Sequence, residues 1–284
     1  ISIHIPSLIF LFEIPPFDTI FISQIRPILG MNFYMVFHIS SPIIILVLGQ
    51  KFSEFLQKPS FSLLCLIILY GFTMFFSGTR ANMLATVLVM GLTYLLYCFK
   101  KEHQLGKVVF LSTFFSLFAL IIVFVLLTDS SSGSSDIKNK HIESTVQLFL
   151  ENNISMLLFG NGPASVFYTS GFNEYTNRTE LSYLDLFRLF GIFGAVPIIF
   201  IYIYPLFGLL KKGTYESLSF FIAYLAYLFI AGTNPLLIVP QGFIALIIAY
   251  NHMFKQKENE NKPRIKQGRV VKYFFSKNNS RLYV

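Results

Sequence analysis

Apolar residues in this chain run in blocks of about 17 to 24 positions, separated by short polar breaks. A helix needs roughly 20 apolar residues to cross the hydrocarbon of a bilayer. Blocks of this length fall at 33–50, 60–78, 81–99, 107–127, 187–210, 216–232 and 235–254. The block 33–50 holds His38 and a Ser40-Ser41-Pro42 break. The chain opens on a further apolar stretch, Ile1 to Phe12, with no initiator Met and no signal-peptide pattern, which reads as the remnant of an eighth span in a longer protein. The pattern predicts an all-α fold: a polytopic transmembrane helical bundle of about 7–8 spans with one long external loop. Residues 1–254 are expected to form one membrane domain, with 128–180 as the loop and 255–284 as a basic tail.

The loop is about 50 residues long, far more than a connection needs, and loops of that length are usually functional or unstructured. Asp129 to Asn139 is rich in Ser, Gly and Asp. Ile137 to Asn152 places Ile142, Val146, Phe149 and Leu150 at helical spacing, which predicts an amphipathic helix able to lie on a membrane surface. Leu157 to Pro163 is an apolar strip ending in a tight turn at Phe159-Gly160-Asn161-Gly162. The helix and the turn are expected to fold back over the membrane face and partly cover a cavity.

Composition agrees with the pattern. Only 13% of residues are charged and 54% are hydrophobic, whereas soluble domains carry about a quarter charged residues. The net charge of +8 is local, because the tail from Lys255 carries nine Lys or Arg against Glu258 and Glu260. A basic block directly after an apolar span reads as a cytoplasmic, lipid-facing tail and not as a nucleic-acid site. Lys51 and Lys58, then Lys100, Lys101 and Lys107, then Lys211 and Lys212 occupy alternate loops, so every basic loop falls on one side of a membrane. The loop 128–180 falls on the other. Cys65 and Cys98 lie inside apolar blocks and read as packing residues.

No phosphate-binding Gly-x-x-x-x-Gly-Lys motif, no His-Glu-x-x-His and no Cys pair at ligand spacing occurs in the sequence, so neither a nucleotide nor a metal is called for. The histidines are scattered. Two segments remain. In Phe75-Phe76-Ser77-Gly78-Thr79-Arg80-Ala81-Asn82, Arg80 stands where two apolar helices meet. It is either an interfacial Arg reaching lipid phosphate or a bidentate phosphate clamp. In Arg178 to Gly194, Glu180, Tyr183, Leu184 and Phe187 share one helical face. Arg188 lies two turns beyond Glu180, roughly 12 Å along the axis. A buried Arg needs an anion: Asp185, three residues earlier, is the structural candidate and a substrate the functional one.

Ser77-x-x-Arg80 opening a span, a later long loop with Phe159-Gly-x-Gly162, and Glu180-x-x-Tyr183-Leu184 closing on Gly191-x-x-Gly194 together resemble the O-antigen polymerase and ligase superfamily, over residues 60–254. Ligases commonly carry His-Asn where this chain has Glu180-Leu181, so the resemblance favours a polymerase. It implies metal-independent, inverting glycosyl transfer from undecaprenyl diphosphate to a sugar hydroxyl of a lipid-linked repeat, at the external face of a bacterial inner membrane. Arg80 and Glu180 would be catalytic, with Arg188, Arg178, Tyr183 and Asn82 binding substrate and no cofactor. Membrane lipids are implied as surroundings, with a chain-length regulator and a flippase as candidate partners. An O-antigen ligase is the alternative, and a flippase or secondary transporter the alternative from another class. Against the latter, spans 60–78, 81–99 and 107–127 have no charge at mid-depth.

Overall fold

The computed structural model describes residues 21–28, 31–38, 40–77, 79–100, 134–151 and 154–261. Span 107–127, the stretch 1–12 and the tail from residue 262 lie outside the described residues. The fold is mostly helical. Two antiparallel strands, β1 (Phe21–Ile28) and β2 (Met31–His38), come first, paired from Phe21 with His38 to Ile28 with Met31. Helices α1 (Ile44–Gln57), α2 (Phe61–Phe76) and α3 (Arg80–Lys100) follow. The middle of the chain forms α4 (Ser134–Glu151), the short α5 (Ile154–Phe159) and a small hairpin, β3 (Phe167–Thr169) with β4 (Glu174–Thr176). Helices α6 (Ser182–Lys212), α7 (Tyr215–Gly232) and α8 (Pro240–Asn261) complete it.

The expected span at 33–50 is corrected by this layout. Its first half is strand β2, and helix begins only at Ile44, after a 3-10 turn at Ser41–Ile43. Asn-Phe-Tyr-Met-Val-Phe is rich in the aromatic and branched residues that favour strands, and Pro42 sits in the first turn of the 3-10 segment, where its missing N–H costs nothing. Helix α1 has 14 residues, roughly 21 Å, too short to cross about 30 Å of hydrocarbon unaided. Among the described residues three helices are long and apolar enough to cross a membrane: Ala81–Lys100, Ser182–Lys212 and Tyr215–Gly232. Helix α2 is apolar but shorter. The span expected at 235–254 is also corrected: its helix starts only at Pro240, where a missing N–H costs nothing, and it is not among these three.

Local chemistry sets the ends of the elements. The Ser60 hydroxyl accepts from Leu63 N–H to cap α2, and Thr214 accepts from Ser217 N–H to cap α7. Gly213, at φ +62, closes α6 in the left-handed conformation that glycine adopts without a Cβ penalty. Helices α1, α3 and α7 approach closely: a Cβ on Gly49 would stand 2.6 Å from that of Ala223 and 3.1 Å from a Val89 methyl. Small residues at such contacts let helices pack where lipid supplies no hydrophobic drive. Pro205, inside α6, removes the N–H that would serve the Ile201 carbonyl. That carbonyl accepts from Tyr250 Oη at 3.2 Å, and the neighbouring Tyr202 carbonyl accepts from Tyr224 Oη at 2.9 Å.

Two contacts fix the directions of the helices. Lys100 Nζ, at the end of α3, donates to the Gly213 carbonyl just past the end of α6, at 2.8 Å. Lys212 Nζ donates to the Met253 carbonyl of α8. So α3 and α6 run parallel. Arg80, Ser182 and the turn before α8 share one end of the bundle, and Lys100, Lys211 and Lys212 share the other.

Candidate functional site

The segment 134–181 folds back onto the first turns of α6, at the Arg80 end. Asp185 organises the junction. Its Oδ2 accepts from Thr179 N–H at 2.6 Å and its Oδ1 accepts from Arg188 Nε at 3.0 Å. A carboxylate in the first turn of a helix also meets the positive end of the helix dipole. Arg188 is fully buried. Its Nη1 donates to the carbonyl and hydroxyl of Ser165, both at 3.1 Å, its Nη2 donates to the Asn177 carbonyl at 2.6 Å, and its guanidinium lies 4.6 Å from the Phe167 ring centre. Of the two anions weighed for Arg188, the structure gives it Asp185. The guanidinium holds the folded loop together and faces no open space.

One turn later α6 breaks. Gly191 has φ +61 and ψ −172. The carbonyls of Arg188 and Leu189, which lose regular helical geometry at the break, accept from Asn161 N–H and Gly162 N–H, each at 2.9 Å. The Phe159-Gly160-Asn161-Gly162 turn therefore docks backbone to backbone. A Cβ on Gly160 would stand 2.4 Å from the Leu189 carbonyl oxygen, and one on Gly191 would stand 2.4 Å from the backbone of Leu158. Real Cβ atoms essentially never come so near, so each glycine is required by the other. Two motifs some 30 residues apart in sequence form one joint.

The other anticipated residues separate by environment. Tyr183 is half-buried, its hydroxyl donates to the Leu228 carbonyl at 3.2 Å, and its ring covers Gly232. Beside it, Ser182 Oγ donates to the Asn234 carbonyl at 2.6 Å and accepts from Leu236 and Leu237 N–H, pinning the turn before α8. Asn82 is fully buried. Its Nδ2 donates to Ser77 Oγ at 2.8 Å and Ser41 Oγ at 3.3 Å, and its Oδ1 has no hydrogen-bond partner among the described residues. Arg178 is exposed, with its backbone tied to Thr176 Oγ1. Arg80 opens α3, and its side chain lies outside the described residues. Glu180 is half-buried and makes no hydrogen bond or ion pair among the described residues. It is the carboxylate left over where Asp185 is fully engaged.

His141 belongs to none of the sequence motifs. It is fully buried between α4 and the β3–β4 hairpin, with Nδ1 2.7 Å from Thr169 Oγ1, its ring edge-on to Phe172 and no partner for Nε2 among the described residues. Thr169 Oγ1 also accepts from Gly171 N–H at 3.2 Å, so one hydroxyl ties the imidazole to the hairpin backbone. Burial pushes the His141 pKa down, and the nearby charges of Glu180 and then Asp185 oppose that shift. The signal available in the sequence was the polar stripe His141-x-x-x-Thr145, opposite the apolar residues of the same helix. Among the described residues no group of His, Cys, Asp and Glu is placed to hold a metal ion.

Fold and site together define a mostly helical protein with, among the described residues, three helices long and apolar enough to cross a membrane and a folded middle segment locked onto the broken end of one of them. No known protein family, curated protein or solved structure matches the chain.

Proposed function

We propose that this protein is a polytopic inner-membrane glycosyltransferase of the O-antigen polymerase type. In this reading the Arg80 end of the bundle faces outward and the Lys100 end faces the cytoplasm, the tail included. The observation that carries the reading is the joint between the Phe159–Gly162 turn and the Arg188–Gly191 break. It makes one unit of two of the three segments that carry the family resemblance, and Glu180 lies half-buried, with no hydrogen bond or ion pair among the described residues, at the end of the bundle where Arg80 begins its helix.

The chemistry suits those two residues. The acceptor hydroxyl attacks the anomeric carbon of the donor sugar from the face opposite the diphosphate. The bond from that carbon to the phosphate oxygen breaks, the hydroxyl proton passes to the Glu180 carboxylate, and the configuration inverts. Arg80 offers a planar fork to the departing diphosphate, with the exposed Arg178 as second cation. Arg188, Tyr183 and Asn82 are enclosed in the fold and act by holding the site's shape. The substrate is already activated, so no nucleotide is required.

The test is complementation of a strain lacking the protein, reading the sugar ladder alongside a membrane-fraction blot. Glu180→Gln is expected to reduce polymer on the order of 100-fold or more, the usual effect of removing a positioned base, with protein level retained. Arg80→Lys is expected to fail nearly as completely as Arg80→Ala, because a point charge does not replace a bidentate fork. Full-length polymer from Arg80→Lys would reduce Arg80 to a lipid anchor, and normal polymer from Glu180→Gln would remove it from the mechanism.

A further inference from the structure

Helix α4 turns two polar residues inward and leaves an apolar stripe on its exposed side, beside Glu143, Gln147 and Glu151. The positions it buries are His141 and Thr145, and Ser144 bonds Ser170 of the hairpin, whereas Ile142, Val146 and Leu150 are exposed. The apolar surface continues into α5, where Ile154 is 75% and Phe159 66% exposed. From residue 152 to 173 the sequence has no charged side chain, although residues 134–151 hold five. A segment facing water on that side would expose a contiguous apolar patch with nothing to cover it.

The covering medium is indicated by where α5 is fixed. The Gly160–Gly191 joint holds it against α6, and the Phe159 ring lies 5.6 Å from that of Phe193. Phe193 heads a stripe of exposed residues down α6, Val196, Phe200, Tyr204 and Phe207, at helical spacing along a span long enough to cross a membrane. The surface of α5 is the continuation of that stripe. We propose that α5, with the adjoining end of α4, is embedded in the lipid leaflet beside α6, so that the middle segment is held in the membrane from below as well as on the bundle. The occupant of this face is lipid acyl chain. The inference rests on the apolar spans and not on the glycosyl-transfer reading.

The chain contains no tryptophan, so one introduced Trp is a unique probe. Ile154→Trp, Phe159→Trp and, as an aqueous control on exposed α4, Glu143→Trp would be reconstituted in phosphatidylethanolamine–phosphatidylglycerol vesicles with and without acyl-chain-brominated lipid. Ile154→Trp and Phe159→Trp are expected to emit at shorter wavelength than Glu143→Trp, to lose most of their emission to brominated lipid, and to resist acrylamide. Two results would overturn the proposal. One is acrylamide quenching equal to that of Glu143→Trp at both positions. The other is short-wavelength emission untouched by brominated lipid, which would put protein, such as a second copy of the chain, on this face. Phe159→Trp keeps an aromatic ring against Phe193, so the test survives if Ile154→Trp does not fold.

Discussion

At the scale of single residues, burial and pairing separate side chains of identical chemistry. Asp185 and Glu180 are both carboxylates at the start of α6, but Asp185 has taken Arg188 and the Thr179 N–H, and Glu180 remains available. Removing one member of a buried ion pair strands the other charge, at a cost of about 3–5 kcal/mol. Arg188→Ala is therefore expected to lower the protein's melting temperature in detergent and its level in membranes, whereas Glu180→Gln changes neither. If Arg188→Ala left stability unchanged and abolished only polymer, Arg188 would return to the substrate. His141 gives a pH prediction. The folded segment holds it below its ordinary value near 6.5, so the opened segment binds more protons in mild acid. The closed form is at full strength above that value and weakens as pH falls through it. Protease cleavage within 134–181 should accelerate between pH ~7.5 and ~5.5, across the range in which a histidine titrates, and His141→Asn should flatten that dependence. A slope unchanged by His141→Asn would assign the effect to another group.

Among the elements, the joint between α5 and α6 is the feature whose loss would do most damage. The carbonyls of Arg188 and Leu189 lose regular helical geometry at the break, and the Asn161 and Gly162 N–H groups donate to them. The three glycines concerned make a graded test. Gly160 and Gly191 combine positive φ with backbone facing the absent Cβ, while Gly162 has φ +88 and open space around it. Gly162→Ala should cost about 1–2 kcal/mol, the price of a left-handed alanine. Gly160→Ala and Gly191→Ala should cost clearly more, because backbone must move. Thermal unfolding or protease release of the 134–181 segment would rank them, and equal effects at all three positions would mean that the close approach is unimportant. Pro205 shows the same principle on a smaller scale, with Tyr250 Oη serving the Ile201 carbonyl that it leaves without a helical donor.

For the whole molecule, parallel α3 and α6 collect the basic residues Lys100, Lys211 and Lys212 at one end and the folded middle segment at the other. Positive loops face the cytoplasm, so a reporter fused at Gly133 should report an external location and one at Gly213 a cytoplasmic location. A cytoplasmic signal at Gly133 would invert the molecule and remove the basis for external glycan chemistry.

The sequence by itself determined what the solvent dictates. An unbroken block of about 20 apolar residues in lipid satisfies its backbone within its own segment as a helix, and so α2, α3, α6 and α7 were legible, as was α4 from its period. The turn at Gly160–Gly162 was legible for a different reason, since glycine at such spacing marks backbone that other residues resist. What one-dimensional pattern could not decide was pairing. Apolar blocks look alike whether they become helix or strand, which is why residues 33–38 of the strand Met31–His38 read as part of a span. Nor does spacing reveal which partner a charge takes: only the fold brought Ser165 and Asn177 to Arg188, enclosed Tyr183 and Asn82, and buried His141 against Thr169, while Glu180 has no bond among the described residues. These are contacts between residues distant in the chain, and their energies depend on local dielectric and geometry that arise only once the segments have packed.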